Sequence, residues 1–165
     1  MAGIGSQAAA KVVQLLSSSS GVSASLGSGR DSGQESGTGA ARMAIRAQNV
    51  AADLAELGET VRYPAVLVYC EKLVNSLTEK FRTFSGTAHM TAEVRNSHDR
   101  LQGLQEDLER CTDALTQVLD GNRGDWGNGM FYAGGYQVAY GAVKHGGRNY
   151  IQVAKVTFEI GVSIN

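Results

Sequence analysis

From Gly121 to Asn165 the chain turns glycine-rich and β-like, and this last third limits the fold more than any other stretch. The run Tyr136-Gln137-Val138-Ala139-Tyr140-Gly141-Ala142-Val143 leads into Lys144-His145-Gly146-Gly147-Arg148-Asn149, and a long β-rich run from Tyr150 to Ile164 follows. Two such runs about a Gly-rich turn predict a hairpin. Ile151 and Val153 share one alternating phase, while Val156, Phe158, Ile160 and Val162 share the other. That slip predicts a β-bulge near Ala154. Upstream, Asn122 to Gly135 is again rich in glycine, carries the lone Trp126, and holds the turn signal Asn128-Gly129. Nothing here has the make-up of a reactive centre. The stretch points to a protein that presents sheet surfaces to partners.

The strongest helical pattern precedes it. Leu101, Leu104, Leu108, Cys111, Leu115, Val118 and Leu119 form one stripe at helical spacing, with Gln102, Gln105, Glu106, Glu109, Arg110 and Asp113 largely on the other side. Ser97 is the expected N-cap, Asp99 suits the first turn, and Gly121 is the expected C′ residue. The leucine stripe is expected to pack on strands containing Ala88–Val94 and Val156–Val162. Ala88, Met90, Ala92 and Val94 alternate with His89, Thr91, Glu93 and Arg95, which predicts a strand with one wet face. Leu73, Leu77 and Phe81, four apart, allow a short helix, and Gly86 then breaks the pattern. Val61 to Cys70 reads as a strand buried on both faces at Ala65-Val66-Leu67-Val68, with Pro64 early enough to be tolerated.

Toward the N-terminus, Ile4, Ala8, Val12 and Leu16 predict a thin helical stripe over 4–16 that needs a surface to dock on. Residues 17–40 contain 15 Ser or Gly among 24. Such a composition buries too little surface to offset its ordering entropy, and it reads as a linker or as an arm held by its own domain or a neighbouring subunit. Met43, Ile45 and Ala47 alternate with polar neighbours as a strand does, and Asn49–Gly58 allows a short helical turn. The organisation expected is an N-terminal helix and arm over 1–40 and an α+β domain over 41–165. That domain should hold a mixed, mostly antiparallel sheet with one long helix packed on a face.

Composition narrows the function classes. The net charge of −1 gives no basic field for nucleic-acid binding. No apolar run reaches the ~18 residues of a membrane span, and the N-terminus lacks the basic region of a secretory leader. Cys70 and Cys111 sit in apolar contexts without metal spacing, as buried thiols of a reducing compartment do. His89, His98 and His145 form no pair at ligand spacing. The carboxylates Glu106, Asp107, Glu109 and Asp113 read as a solvated helix face. Gly141, Gly146 and Gly147 lack the Gly-Lys-Ser/Thr ending of a phosphate loop and lie between strands. No catalytic residue, cofactor or metal is therefore expected.

Sheet edges offer more. A sheet of five or six strands must hide its outer backbone groups, and no Lys-rich edge strand is evident. Trp126 in a polar Gly loop suits either a lid over the sheet edge or an interface anchor. Arg42 and Arg46 share a strand face that is solvated, lines a channel or meets acidic residues of a neighbour. Together with Met130, Tyr136, Tyr140, Lys144 and Arg148, these are the candidate subunit or partner contacts.

The order of elements is short helix, long loop, three strands, one long helix, then strands with Gly-rich turns. With the stretches Arg62-Tyr63-Pro64-Ala65-Val66-Leu67-Val68-Tyr69, Phe81-Arg82-Thr83-Phe84-Ser85-Gly86 and Gly124-Asp125-Trp126-Gly127-Asn128-Gly129-Met130-Phe131-Tyr132, the chain from about Ala41 onward resembles the tail-terminator or neck proteins of tailed bacteriophages. The resemblance implies a virion protein assembled in the host cytoplasm into a homomeric ring, a hexamer in that family. It implies a ring that ends tail-tube growth, meets tube and neck or connector proteins, and lets DNA pass without sequence-specific binding. No membrane partner is implied. Two alternatives stay open at this point: another virion ring component, such as a tail-tube subunit or head–tail connector, and a small cytoplasmic enzyme or ligand-binding domain.

Overall fold

A computed structural model describes residues 3–18, 43–48 and 63–165. In chain order these form α1 (Ile4–Ser17), β1 (Ala44–Ala47), β2 (Ala65–Asn75), β3 (Phe84–His98), α2 (Leu101–Gly121), β4 (Gly124–Gly127), β5 (Met130–Tyr132), β6 (Tyr136–Tyr140), β7 (Lys144–Gly146) and β8 (Asn149–Ile164). The strands make one mixed sheet in the order β1-β2-β3-β8, and the second edge of β8 is shared in turn by β7, β6 and β5, with β4 beyond β5. Only β1 and β2 run parallel; the other pairs are antiparallel. The sheet curls into a half-barrel, and the class is α+β.

One face of the sheet carries the core. Ala88, Met90, Ala92 and Val94 of β3 and Ala154, Val156, Phe158, Ile160 and Val162 of β8 are buried there. They pack with Leu108, Cys111, Leu115, Val118 and Leu119 of α2, so the long helix lies on the strands its stripe predicts. The thin stripe of α1 (Ile4, Ala8, Ala9, Val12 and Leu16) joins the same core beside Val66 and Val68 of β2. A helix this poor in large side chains gains its stability from that docking.

The ends of α2 differ from the expectation. Ser97 and His98 remain in β3, paired with Ile151 and Tyr150. The ladder keeps their backbone groups bonded, so the helix starts only at Leu101, with Arg100 as an N-cap whose side chain caps nothing. Leu101 itself is exposed. Gly121 is the last helical residue, and the stop falls on Asn122. The Asn122 N–H donates to the Leu119 carbonyl at 3.1 Å and its side-chain amide to the Val118 carbonyl at 2.7 Å. An Asn that covers the orphan carbonyls makes a left-handed glycine unnecessary.

Three further expectations are corrected. Leu73 lies in β2, and Leu77 and Phe81 lie in the β2–β3 connection, all exposed, so the four-residue spacing marks no helix. Gly86 does not interrupt a pattern: it sits inside β3 opposite Asn75, where a Cβ would lie 1.9 Å from the Val74 carbonyl oxygen. The β3–β8 ladder runs unbroken from Ile164 to Tyr150, with no bulge at Ala154. The extra residue is on the opposite strands, where 141–143 face only 152–153 between the pairs Tyr140↔Ala154 and Lys144↔Ile151. The phase slip in β8 therefore reports a change of neighbour rather than a kink of its own. The proposed arm, Arg42 and the Asn49–Gly58 turn lie outside the described residues.

Candidate functional site

The groups with chemical potential are dispersed. His89 Nδ1 lies 3.2 Å from Glu159 Oε1 on the neighbouring strand. His98 Nδ1 accepts the Arg100 N–H at 2.9 Å in the turn before α2. His145 stands edge-on to Tyr150 on the β7–β8 hairpin. Cys111 is in the core, and burial, helped by the Asp107 charge, pushes its thiol up to about 11, which favours the protonated thiol at neutral pH. Cys70, expected to be buried as well, is only half-buried, and that partial burial still pushes its thiol up. Among the described residues no three His, Cys, Asp or Glu side chains converge as a metal site would need. No helix of the described residues is long and apolar enough to cross a membrane.

The face of the sheet away from the helices holds a feature hidden from the sequence. Glu93 and Arg95, which alternation assigns to a wet face, are only 5% and 6% exposed. Glu93 accepts a hydrogen bond from the Tyr69 hydroxyl at 2.9 Å, and Lys155 Nζ lies 3.2 Å from the same oxygen. Arg95 Nη2 lies 3.6 Å from the other carboxylate oxygen. Next along the strand, Thr91 donates to Glu71 at 3.0 Å. Burial first, then the bond to Glu93, pushes the Tyr69 phenol above its ordinary range. The cluster clamps β2, β3 and β8 to one another, and removing one partner would strand a buried charge. Its only sequence signal is the Glu-x-Arg alternation; which cross-strand residues complete it depends on register.

The nominated contact residues divide into two groups. Trp126 and Met130 are inside the fold: Trp126 Nε1 donates to the Asn122 carbonyl at 2.6 Å and its ring leans on Tyr132. The lid alternative for Trp126 describes its place, and neither residue has surface to offer a partner. Tyr136, Tyr140, Lys144, Arg148 and Arg46 are exposed. The structure brings Tyr136 and Tyr140 together on the helix-side face of β6, opposite Phe158 and Ala154. The Tyr136 hydroxyl reaches Asp120 at the end of α2, at 3.2 Å. Lys144 is across from Ile151 near the β7–β8 turn, and Arg148 is in that turn. Arg46 lies on the opposite edge of the sheet, across from Leu67.

A third surface was not nominated. The β2–β3 connection, residues 76–83, leaves Phe81 99% exposed and Leu77 61% exposed. Sequence periodicity had absorbed both into a helix, although a lone Phe between Lys80 and Arg82 is a poor core pattern. The chain matches no protein-family model, and no curated protein matches its sequence.

Proposed function

We propose that the chain is a virion structural protein, copies of which close into a ring, hexameric by the family resemblance, at the head-proximal end of a phage tail. There the ring ends tail-tube growth and joins tail to neck, and DNA passes its channel without being read. One observation carries this reading: the outer edge of β6. Among the described residues β6 pairs only with β8, and its five residues include neither Lys nor Pro to discourage a further strand. Exposed Tyr136 and Tyr140 stand on it, with Lys144 and Arg148 close behind. An edge of this kind on a free monomer invites uncontrolled pairing, whereas a closed ring uses each complementary patch once.

The test is physical and genetic. Light scattering on the purified protein should give a closed oligomer, of about six copies by the family resemblance. A phage lacking the chain should produce heads without tails beside tails of abnormal length or unjoined tails. A strict monomer at every concentration, or normal infectious particles without the chain, would end the proposal.

A further inference from the structure

The tip of the β2–β3 hairpin is built to hold apolar side chains away from its own core. Leu77 and Phe81 both have left-handed backbones, with φ of 47° and 67°. For a residue with a Cβ this conformation is disfavoured, because the Cβ crowds the following carbonyl oxygen. A dense set of bonds enforces it. Asn75 Oδ1 accepts the N–H groups of Leu77 and Ser85, Ser85 Oγ accepts the Glu79 N–H and bonds Thr78, and Glu79 holds Arg82 and Ser163. Such strain persists where the surroundings over-determine it and is concentrated at functional positions. Among the described residues nothing packs on the Phe81 ring, which stands fully in water.

We infer that this tip is a preformed knob that docks on the α2–β6 face of a second copy of the chain, head to tail. The inference rests on the ring proposal and names which two surfaces meet. Charge selects the occupant. The segment Lys72–Thr83 carries Lys72, Lys80 and Arg82 against Glu79, while α2 carries Glu106, Asp107, Glu109, Asp113 and Asp120 against Arg110. Apolar content matches as well: Tyr136, whose hydroxyl reaches Asp120 at the end of α2, and Tyr140 share the helix-side face of β6, and both are exposed. The two surfaces cannot meet within one molecule. Phe84, at the base of the tip, is level with Ile164 of β8, whereas β6 starts opposite Phe158. Six residues of strand separate them, about 20 Å, and the tip extends farther. Two different complementary patches on one chain make a heterologous contact, the kind that closes into a ring when its rotation permits.

Two variants test this by sedimentation velocity, at a concentration where the wild type is fully assembled. One has a defective tip (Leu77→Ser with Phe81→Ser); the other has a defective face (Asp113→Lys with Tyr140→Ser). All four side chains are exposed, so both variants should keep the wild-type circular dichroism, and Phe81→Gly, which relieves the backbone, is a second tip variant. Each variant alone should be monomeric. An equal mixture should stop at a dimer of one copy of each, since it retains one sound tip and one sound face. If the wild type assembles and either variant assembles equally well, or if the mixture stays monomeric, the inference fails while the ring survives. If the wild type is itself monomeric throughout, the ring proposal fails and the inference with it.

Discussion

Two hairpin tips in this molecule solve the same geometric problem in opposite ways. The β4–β5 turn places Asn128 at φ 54° and Gly129 at φ 73°, the pair of residues that tolerates positive φ best. Its flanking Trp126 and Met130 turn into the core, and Trp126, Tyr132 and Phe158 contact one another in sequence at ring separations of 5.2 and 5.8 Å. The β2–β3 tip uses the same region of backbone space with Leu77 and Phe81, and it points them outward. In the first tip, turn chemistry and burial agree, as they do in a segment shaped for stability. In the second they disagree together, which is the mark of a segment shaped for something outside the fold.

Truncation should separate the tips most. Trp126→Ala removes a buried ring and its hydrogen bond and is expected to cost about 3–5 kcal/mol. That is comparable with the about 2–5 kcal/mol expected for Leu108→Ala on the buried stripe of α2. Phe81→Ala should stay within about 0.5 kcal/mol of the wild type. Chemical denaturation of the protein held monomeric measures all three. A large loss for Phe81→Ala would mean that the ring has a partner within its own chain, and the contrast would collapse.

Backbone substitutions should act with opposite signs. A Cβ on Gly129 would lie 2.0 Å from the Ser163 carbonyl oxygen, in a left-handed conformation besides. Gly129→Ala is expected to destabilise by about 1–3 kcal/mol. Phe81→Gly relieves the strained φ at the other tip and should raise monomer stability by up to about 1 kcal/mol, the left-handed penalty less the extra chain entropy of glycine. The same change should abolish self-association, so stability and assembly would move apart. A stability loss on Phe81→Gly would show that the tip contributes to the fold.

The same contrast explains what was legible in the sequence. The α2 stripe, the core face of β3 and the Asn128-Gly129 turn were readable because local pattern and tertiary role coincide there, whereas the wet face expected of β3 is buried at Thr91, Glu93 and Arg95. Leu73, Leu77 and Phe81 misled because four-residue spacing implies a buried stripe only when the residues face a core. Ser97 misled because it could serve as a cap or as a rung of the β3–β8 ladder, and the long-range ladder won. The Glu93 cluster was illegible because its members come from three strands whose register no local pattern specifies. Among the contact candidates, Tyr136 and Tyr140 are at the surface, while Trp126 and Met130 were drawn inward by the hairpin that carries them.

The smallest expected effect is on pH dependence, and it again contrasts the tips. Burial, followed by the charge of Asp120, pushes the Tyr132 phenol above its ordinary range, with Arg123 opposing. The unfolded chain therefore releases that proton at a lower pH than the folded one. The stability tied to it is fully present below about pH 10 and is lost as pH rises through the folded value. Tyr69 and Cys111 have raised values too and add to the same alkaline decline. Tyr132→Phe should cost about 1 kcal/mol at pH 7, because the hydroxyl donates to the Gly135 carbonyl at 3.2 Å. It should also make the loss of stability above about pH 10 shallower without removing it. Phe81→Tyr is the control, since a phenol in open water ionises alike in both states and should leave the slope unaltered. Equal alkaline slopes for wild type and Tyr132→Phe would show that the β4–β5 hairpin does not bury its phenol, and the distinction between a tip folded inward and a tip held outward would lose its clearest chemical signature.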